Sequence, residues 1–535
     1  MVSNKSALNY KPTICDGVIF ALCVVSFFLW GYLVFSHNTF GEWDGVLQYY
    51  AGKEMLYGQG YKGWASHFWP PLQPLLLALG NPFVIGKTIA VVSGFIILAG
   101  SYGIARVKEL SIRESLLVTA VLGSNQTFLF HSSIVENHAL EASMSVLGLY
   151  FALLFFKKAK SRFKPQISIL VVAAIFVGLA GLTRYTAYAL ALTIALSLFF
   201  LMPKIKEKFL YTSIFSLVFI GISLVWWVPN YIMNGSPLAT WHYVNVGSNI
   251  HPGGVQEFWW IHVSNYTGMF EVISDFFKEF VIGFLKNIFN SLKILATSLT
   301  SVNIISLVVT SLGGLYLVIA GSTTNKLKSN FVGILYLMVY ITVCSIALSF
   351  TSALFPVICI FILLFFIALS KQLKFFKICA IILIGLNLVG SYFAFTNFLD
   401  VEASDDGTLH SRVEVTNLLT EDPLINNKTV VSSHPARAYY ANSQWLAFPL
   451  AGLDNTCDLI NYSFDKKVKK HNPRIPVLLN VDNPEVNYII VGETVANLYP
   501  FISDDLKFKE DSCSDSLNLI LKNSGVSVYE VSKSL

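Results

Sequence analysis

Residues 38–72 read NTFGEWDGVLQYYAGKEMLYGQGYKGWASHFWPPL, a long polar stretch that follows an apolar run of membrane-spanning length. Two acids, Glu42 and Asp44, stand close to the predicted bilayer, where placing a charge is costly. Aromatic residues, glycines and acids are interleaved as in the wall of a folded pocket, although a solvated surface loop is the simpler interpretation. The stretch is therefore the first candidate site in the chain.

The composition is that of a protein embedded in a membrane. Of the 535 residues, 54% are hydrophobic and 13% are charged, and the mean hydropathy is +0.60. Soluble domains carry about 25% charged residues, so the sequence predicts a polytopic membrane protein. The net charge of +5 does not indicate nucleic-acid binding. The first apolar run is not followed by a small-residue cleavage site, which predicts a retained first helix and not a signal peptide.

A membrane span needs about 20 apolar residues, and about 11 apolar runs approach that length. They cover residues 18–35, 84–104, 115–130, 139–156, 167–182, 185–201, 210–226, 304–320, 331–348, 354–369 and 378–395. Residues 72–79 are too short to span and are predicted to form a juxtamembrane helix. Residues 278–300 place lysines opposite an apolar face, which predicts an amphipathic helix in the membrane interface.

Basic residues are concentrated in the loops that follow the even-numbered runs. The clusters lie at 106–113, 157–164, 204–208, 326–328 and 371–377. Because loops rich in Lys and Arg face the cytoplasm, this distribution predicts a cytoplasmic N-terminus. Residues 38–83 and 228–300 then form loops on the outer, periplasmic face.

The composition changes at about residue 396, which predicts two domains: a transmembrane domain over 1–395 and an extracytoplasmic α/β domain over 396–535. In the second domain we predict strands at 427–433, 486–492 and 526–531, and a helical segment at 436–444. Its two cysteines, Cys457 and Cys513, could form a disulfide outside the cytoplasm, and their pairing stays open. The seven cysteines show no spacing typical of a zinc site.

The 38–72 stretch resembles the first periplasmic loop of the GT-C membrane glycosyltransferases. The resemblance rests on Asp44, Tyr50, Ala51, Gly58, Gly60, Tyr61 and the sequence Pro70-Pro71-Leu72. This superfamily includes protein O-mannosyltransferases and the aminoarabinose transferases that modify lipid A. SSIVENHALEAS at 132–143 resembles its second loop, and GLTRY at 181–185 is similar to a further stretch. The resemblance implies the GT-C fold and sugar transfer from a polyprenyl phosphate.

The same resemblance implies roles for individual residues. In the superfamily an Asp shortly after the first transmembrane helix is the catalytic acid/base or a metal-site residue, and Asp44 stands there. Arg184 and Tyr185 are candidates for binding the donor phosphate, because a guanidinium matches phosphate bidentately. Alternatively, Arg184 snorkels to lipid headgroups. Many relatives carry Lys directly before the Pro pair, where this chain has Trp69, so His67 or Lys62 would have to replace it.

Glu136 stands where the superfamily usually has Asp, and with His138 it forms a second acidic, candidate metal-binding pair. A solvated turn acid is the alternative interpretation of Glu136. A divalent metal ion is the one cofactor under consideration. Glu141 falls inside a predicted span, where we expect a buried, hydrogen-bonded group.

The sequence thus predicts an inverting membrane glycosyltransferase in the bacterial inner membrane, with Asp44 as the catalytic base. It would transfer a sugar from a polyprenyl-phosphate donor to a periplasmic protein, lipid A or polysaccharide. A transporter or flippase of lipid-linked sugars is the alternative, and a non-catalytic sugar-binding or assembly subunit is a third. The hydropathy shows no paired broken helices of the transporter kind, which favours the enzyme. The sugar, the acceptor and the oligomeric state are not specified.

Overall fold

The structure, a computed structural model, describes most of the membrane domain and the strands of the C-terminal domain. The described residues are 14–36, 43–56, 61, 68–160, 166–238, 240, 242–252, 258, 266, 268–321, 324–347, 351–404, 429–432, 444–447, 486–492, 502, 507, 516–523 and 526–531.

The described part of the membrane domain consists mainly of helices. In chain order its helices are α1 (Ile14–Ser36), α2 (Trp43–Leu56), α3 (Leu72–Leu77), α4 (Pro82–Val107), α5 (Ile112–Gly123), α6 (Gln126–His131), α7 (Asn137–Lys160), α8 (Ile167–Gly181), α9 (Tyr188–Leu201), α10 (Ile205–Asn234), α11 (His242–Ile250), α12 (Met269–Asp275), α13 (Phe277–Thr297), α14 (Asn303–Gly321), α15 (Thr324–Ala347), α16 (Thr351–Ser370) and α17 (Phe376–Ser404). A single 3₁₀ turn, Tyr185–Ala187, precedes α9.

Each predicted apolar run overlaps one or two of these helices. By length and composition, six helices within the described ranges are able to cross a membrane: Val84–Val107, Asn137–Ala159, Ile205–Ile232, Phe277–Thr297, Thr351–Ser370 and Phe376–Thr396. Shorter apolar helices cover Ala21–Tyr32, Ile167–Gly181, Tyr185–Leu201, Asn303–Gly313 and Phe331–Ala347. The prediction of a polytopic helical membrane protein is confirmed.

The third predicted run is divided into two helices, α5 and α6. Asn125 caps the second, since its side chain accepts a hydrogen bond from the backbone N–H of Thr127. The carbonyl groups freed at the break bond to α17: Asn387 donates to the carbonyl of Val121 at 3.3 Å and Ser391 to that of Ser124 at 3.1 Å. A helix break at membrane depth is tolerated because neighbouring helices satisfy its backbone groups.

Helices α7 and α16 form the buried centre of the bundle. Helix α7 packs against α4, α8 and α16, and most side chains of α16 are buried. Helix α13 is amphipathic in sequence but long and apolar enough to span, so its interfacial placement stays a prediction. The polar stretch 38–72 contains the helix α2, which we did not predict.

The C-terminal domain contains a five-stranded sheet within its described residues, in the order β2-β1-β3-β5-β4. The strands are β1 (Thr429–Ser432), β2 (Gln444–Ala447), β3 (Val486–Gly492), β4 (Leu517–Asn523) and β5 (Val526–Val531). Strand β1 pairs in parallel with β2 and β3, whereas β5 pairs antiparallel with β3 and β4. The three predicted strands are present as β1, β3 and β5. The predicted helical segment 436–444 lies outside the described residues except Gln444, which belongs to β2.

One face of the sheet is buried against the membrane domain. Tyr488 and Ile490 of β3, two residues apart and therefore on one face, cluster with Leu47 of α2 and Trp226 of α10. The sheet therefore covers the end of the bundle at which α2 and the second half of α10 lie.

Candidate active site at the covered end of the bundle

The end of the bundle that carries α2 also carries the turns before α7 and after α8. Arg184 lies in the turn between α8 and the 3₁₀ turn that precedes α9. The backbone N–H of Leu72 donates to the carbonyl oxygen of Leu182 at 3.0 Å. This hydrogen bond connects the end of the 38–72 stretch to the turn that carries Arg184, as expected if both belong to one site.

Arg184 is the centre of a polar cluster. Its Nη1 donates to Oδ1 of Asn137 at 2.9 Å and lies 2.8 Å from Nδ1 of His138. Its Nε lies 3.4 Å from Oε2 of Glu141, and only 12% of its side chain is exposed. These contacts with described residues involve two nitrogen atoms of Arg184, Nη1 and Nε. The guanidinium is therefore held at three points and is not free to snorkel as an isolated side chain.

Glu141 supports Arg184 from inside the membrane domain. Its carboxylate is fully buried and accepts hydrogen bonds from Thr186 at 2.6 Å and from Tyr340 at 3.2 Å. Tyr340 also donates to the carbonyl of Ala353 at 3.0 Å. Burying a charge without a partner is expensive, so the carboxylate and the guanidinium stabilise each other. The prediction of Glu141 as a buried, hydrogen-bonded group agrees with this arrangement.

Glu136 and His138 lie on the other side of Arg184, also buried. Oε2 of Glu136 is 3.2 Å from Nδ1 of His131 and 3.8 Å from Nε2 of His138. Because His138 contacts both Glu136 and Arg184, the second predicted acidic pair and the predicted phosphate-binding arginine belong to one network. Glu136 is buried, so the alternative of a solvated turn acid does not apply.

A cavity of about 220 Å³ opens beside this network. Its lining comprises Phe68, Trp69, Arg184, Tyr185, Thr186, Thr240, His242, Asn245, Met269, Val343, Cys344, Ile346, Ala347 and Ala353. The hydroxyl of Tyr185 accepts a hydrogen bond from Nε1 of Trp226 at 2.8 Å. Burial and, to a smaller extent, the Arg184 guanidinium lower the pKa of the His242 imidazole to about 4. His242 is therefore uncharged at neutral pH, and among the described lining residues it is Arg184 that offers a positive charge to an anion.

Asp44 lies in the first turn of α2, and its side chain is outside the described part of the chain. The helix itself is held firmly, since Leu47 and Ala51 are buried. A Cβ at Gly52 would meet the carbonyl oxygen of Pro74, so α2 packs directly on the backbone of α3. Glu42, Lys62 and His67 lie outside the described residues. The roles predicted for these four residues therefore stay predictions.

A metal site is not formed by the side chains that the structure describes. Within these ranges no three His, Cys, Asp or Glu side chains are grouped as metal ligands. His131 and His138 both face the Glu136 carboxylate, so these residues fit a hydrogen-bonded network better than a metal-ligand set. The predicted divalent metal stays a prediction.

Several residues of the site were not predicted, namely His131, Thr186, Tyr340, His242 and Asn245. Tyr340 had a usable signal, because a tyrosine in an apolar span needs a partner for its hydroxyl group. The other four residues had no comparable signal in the sequence. Their roles depend on which helices pack together.

The architecture is that of a polytopic membrane protein with a small sheet domain covering one end. No model of a protein family matches the sequence, and no curated protein matches it. Solved structures do match the fold. ArnT from Cupriavidus metallidurans bound to undecaprenyl phosphate superposes with a TM-score of 0.60 at 11% identity, over 97% of this chain and 98% of that one.

The Archaeoglobus fulgidus oligosaccharyltransferase in complex with Zn and sulfate has a TM-score of 0.53 at 13% identity, over 96% of this chain and 73% of that one. AglB from Archaeoglobus fulgidus, in complex with an inhibitory peptide and a dolichol-phosphate, has a TM-score of 0.51 at 13% identity, over 99% of this chain and 75% of that one. These proteins are GT-C membrane glycosyltransferases. The expected GT-C fold is confirmed.

Proposed function

We propose that this chain is a membrane glycosyltransferase that takes a sugar from a polyprenyl-phosphate donor. The observation that carries the proposal is the Arg184 cluster: a largely buried guanidinium, held at three points, that lines a cavity at the covered end of the bundle. The fold agrees, because its likeness to ArnT bound to undecaprenyl phosphate extends over 97% of this chain. A prepositioned cation beside a cavity is suited to a phosphate leaving group.

In the proposed reaction the donor phosphate binds at Arg184. Asp44 accepts a proton from the acceptor hydroxyl or amine, and the acceptor atom forms a bond to the anomeric carbon. The bond from that carbon to the phosphate oxygen breaks, and its electron pair leaves with the polyprenyl phosphate. Arg184 offsets the charge that develops on the phosphate. One displacement inverts the anomeric configuration.

The buried partners of Arg184 preorganise it for this task. Glu141 and Asn137 hold its Nε and Nη1, so little rearrangement is needed when a phosphate arrives. Glu136 holds His138 against the same guanidinium. Tyr185 lines the cavity next to Arg184 and adds an aromatic wall, and Lys62 and His67 remain candidates for a second phosphate contact. A divalent metal remains a candidate for a further counter-charge.

The proposal includes the orientation of the chain in the membrane and its division into two domains. The basic clusters lie at the opposite ends of the helices from Arg184, which supports placing the site on the outer face. The membrane domain would cover 1–395 and the periplasmic domain 396–535, in the bacterial inner membrane. The acceptor would be a periplasmic protein, lipid A or polysaccharide.

Replacing Asp44 by Asn tests the proposal. We expect Asp44→Asn to keep expression and folding and to lower turnover by about 10²- to 10⁴-fold, the loss expected on removing a general base. Glu42→Gln is the matched control and should have a milder effect. Near-normal transfer by Asp44→Asn would remove Asp44 from the mechanism and would favour a transporter of lipid-linked sugars.

A further inference from the structure

A second cavity lies between α4 and α7 at the other end of these helices. Both helices start at the Arg184 end, at Pro82 and Asn137. At 1.5 Å per residue, Arg106 lies about 36 Å along α4 from Pro82. This α4–α7 groove has a volume of about 740 Å³ and lies at the end that carries the basic clusters. It is therefore separate from the Arg184 cavity.

The groove has an apolar floor and a basic mouth. Its lining comprises Ala99, Gly100, Tyr102, Gly103, Arg106, Val107, Leu147, Tyr150, Leu154, Lys157 and Lys158. The deeper residues are small or apolar, and the three cations stand together at the last turns of the two helices. A ligand with a negatively charged head group and an attached hydrocarbon chain matches this lining, because the head group fits the basic mouth and the chain fits the apolar floor.

The structure holds the three cations at the mouth of the groove. The guanidinium of Arg106 donates to the carbonyl oxygen of Leu110. Nζ of Lys157 donates to the carbonyl of Val107 at 3.1 Å and lies 3.3 Å from the Glu109 carboxylate. Nζ of Lys158 donates to the side chain of Gln166 at 2.8 Å. Arg106 and Lys157 are exposed, so they can bind an anion while keeping these contacts.

We propose that the α4–α7 groove binds an anionic glycerophospholipid, with its phosphate at Arg106, Lys157 and Lys158. Basic pockets between transmembrane helices attract anionic head groups. The apolar floor distinguishes this ligand from free phosphate, because it provides a surface for an acyl chain that inorganic phosphate does not have. The tyrosines Tyr102 and Tyr150 suit the interface between head group and chain, where such side chains are favoured.

The test uses the full chain, purified in detergent and stripped of lipid, with bound lipid counted by native mass spectrometry. Phosphatidylglycerol and phosphatidylcholine with identical acyl chains are the probes. We expect phosphatidylglycerol to bind more tightly. Lys157→Gln combined with Lys158→Gln should weaken it about 30-fold, since one basic residue near an anionic lipid surface contributes about fivefold.

The matched control is Lys204→Gln combined with Lys206→Gln. Both of these lysines are exposed at the same end of the bundle but outside the groove, and Lys204 is paired with Glu207 much as Lys157 is paired with Glu109. This control should bind phosphatidylglycerol like the wild type. Ala99→Phe is a second variant that fills the groove and leaves every charge in place, and it should also weaken binding.

Three results would overturn the proposal: equal affinity for the two lipids, wild-type binding by the Lys157/Lys158 variant, or wild-type binding by Ala99→Phe. Displacement of the lipid by millimolar inorganic phosphate would also overturn it, because the site would then recognise phosphate alone. Elution as a single species in gel filtration shows that each variant is folded.

Discussion

Removing Arg184 tests the phosphate-binding role, but the simple alanine variant has two effects. It deletes the guanidinium and also leaves the buried Glu141 carboxylate without its cation. Breaking a buried ion pair in this way costs about 3–5 kcal/mol of stability. We therefore compare the double variant Arg184→Ala/Glu141→Gln with Glu141→Gln alone, so that the removal of Arg184 leaves no buried carboxylate without its cation.

The expected magnitude follows from the contacts of Arg184. A hydrogen bond to a charged group contributes about 1.5–3 kcal/mol, which corresponds to about 10- to 150-fold in the donor concentration needed for half-maximal rate. The acceptor requirement should hardly change, because the phosphate belongs to the donor. Arg184→Lys should recover part of the loss, since a lysine supplies a point charge without the planar fork.

The assay is sugar transfer in reconstituted vesicles, with the donor varied at fixed acceptor and then the reverse. Lys293→Ala is the control, because Lys293 is an exposed cation of α13 outside the cavity. An unchanged donor requirement on removing Arg184 would show that its cluster is structural. An equal loss for donor and acceptor would likewise contradict a specific phosphate contact.

Three further predictions concern topology, oxidation and pH. A cysteine at position 63 (Gly63→Cys) should react with a reagent outside the cell and one at position 161 (Ser161→Cys) should not; labelling of position 161 would reverse the orientation. Cys457 and Cys513 should appear as one linked peptide in a non-reducing mass map, and two free thiols would reject the disulfide. Since the pKa of His242 falls from 6.5 to about 4 on folding, the unfolded chain binds more protons between these values. Unfolding free energy should therefore decrease as the pH falls through that window, and an identical decrease in His242→Gln would refute this cause.

The spans could be predicted because the bilayer imposes one requirement on all of them, a run of about 20 apolar residues. The break between α5 and α6 escaped prediction, since it depends on Asn387 and Ser391, more than 260 residues further along the chain. Helix α2 cannot be predicted in this way, because its polar and apolar residues show no clear helical face.

The strands, like the helices, include some that the sequence predicts and others that it does not. Strands β1, β3 and β5 are rich in β-branched residues, which predicts their positions. Strand β2, QWLA, has no β-branched residue that would mark it as a strand. Strand β4, LNLILKN, places leucines at alternate positions, which is a usable signal for a strand.

The candidate site was partly visible in the sequence. Arg184, Glu136 and His138 stand out because charged and polar side chains at a membrane end need partners. Their actual contacts could not be predicted. Tyr340 reaches Glu141 across 199 residues, and this contact requires α15 to lie beside the 3₁₀ turn and α16 beside α7. Such neighbours are set by packing and not by local pattern.

The most direct measurement is mass spectrometry of glycoconjugates and lipid-linked sugars from a strain lacking this chain, compared with strains carrying the wild type or Asp44→Asn. We predict that one sugar is missing from a periplasmic protein, lipid A or polysaccharide in the deletion strain. The matching polyprenyl-phosphate sugar should accumulate, and wild type but not Asp44→Asn should restore both. Unchanged glycoconjugates and lipid-linked sugars in the deletion strain would contradict the proposed sugar transfer, and full restoration by Asp44→Asn would contradict the role of Asp44 as its catalytic base.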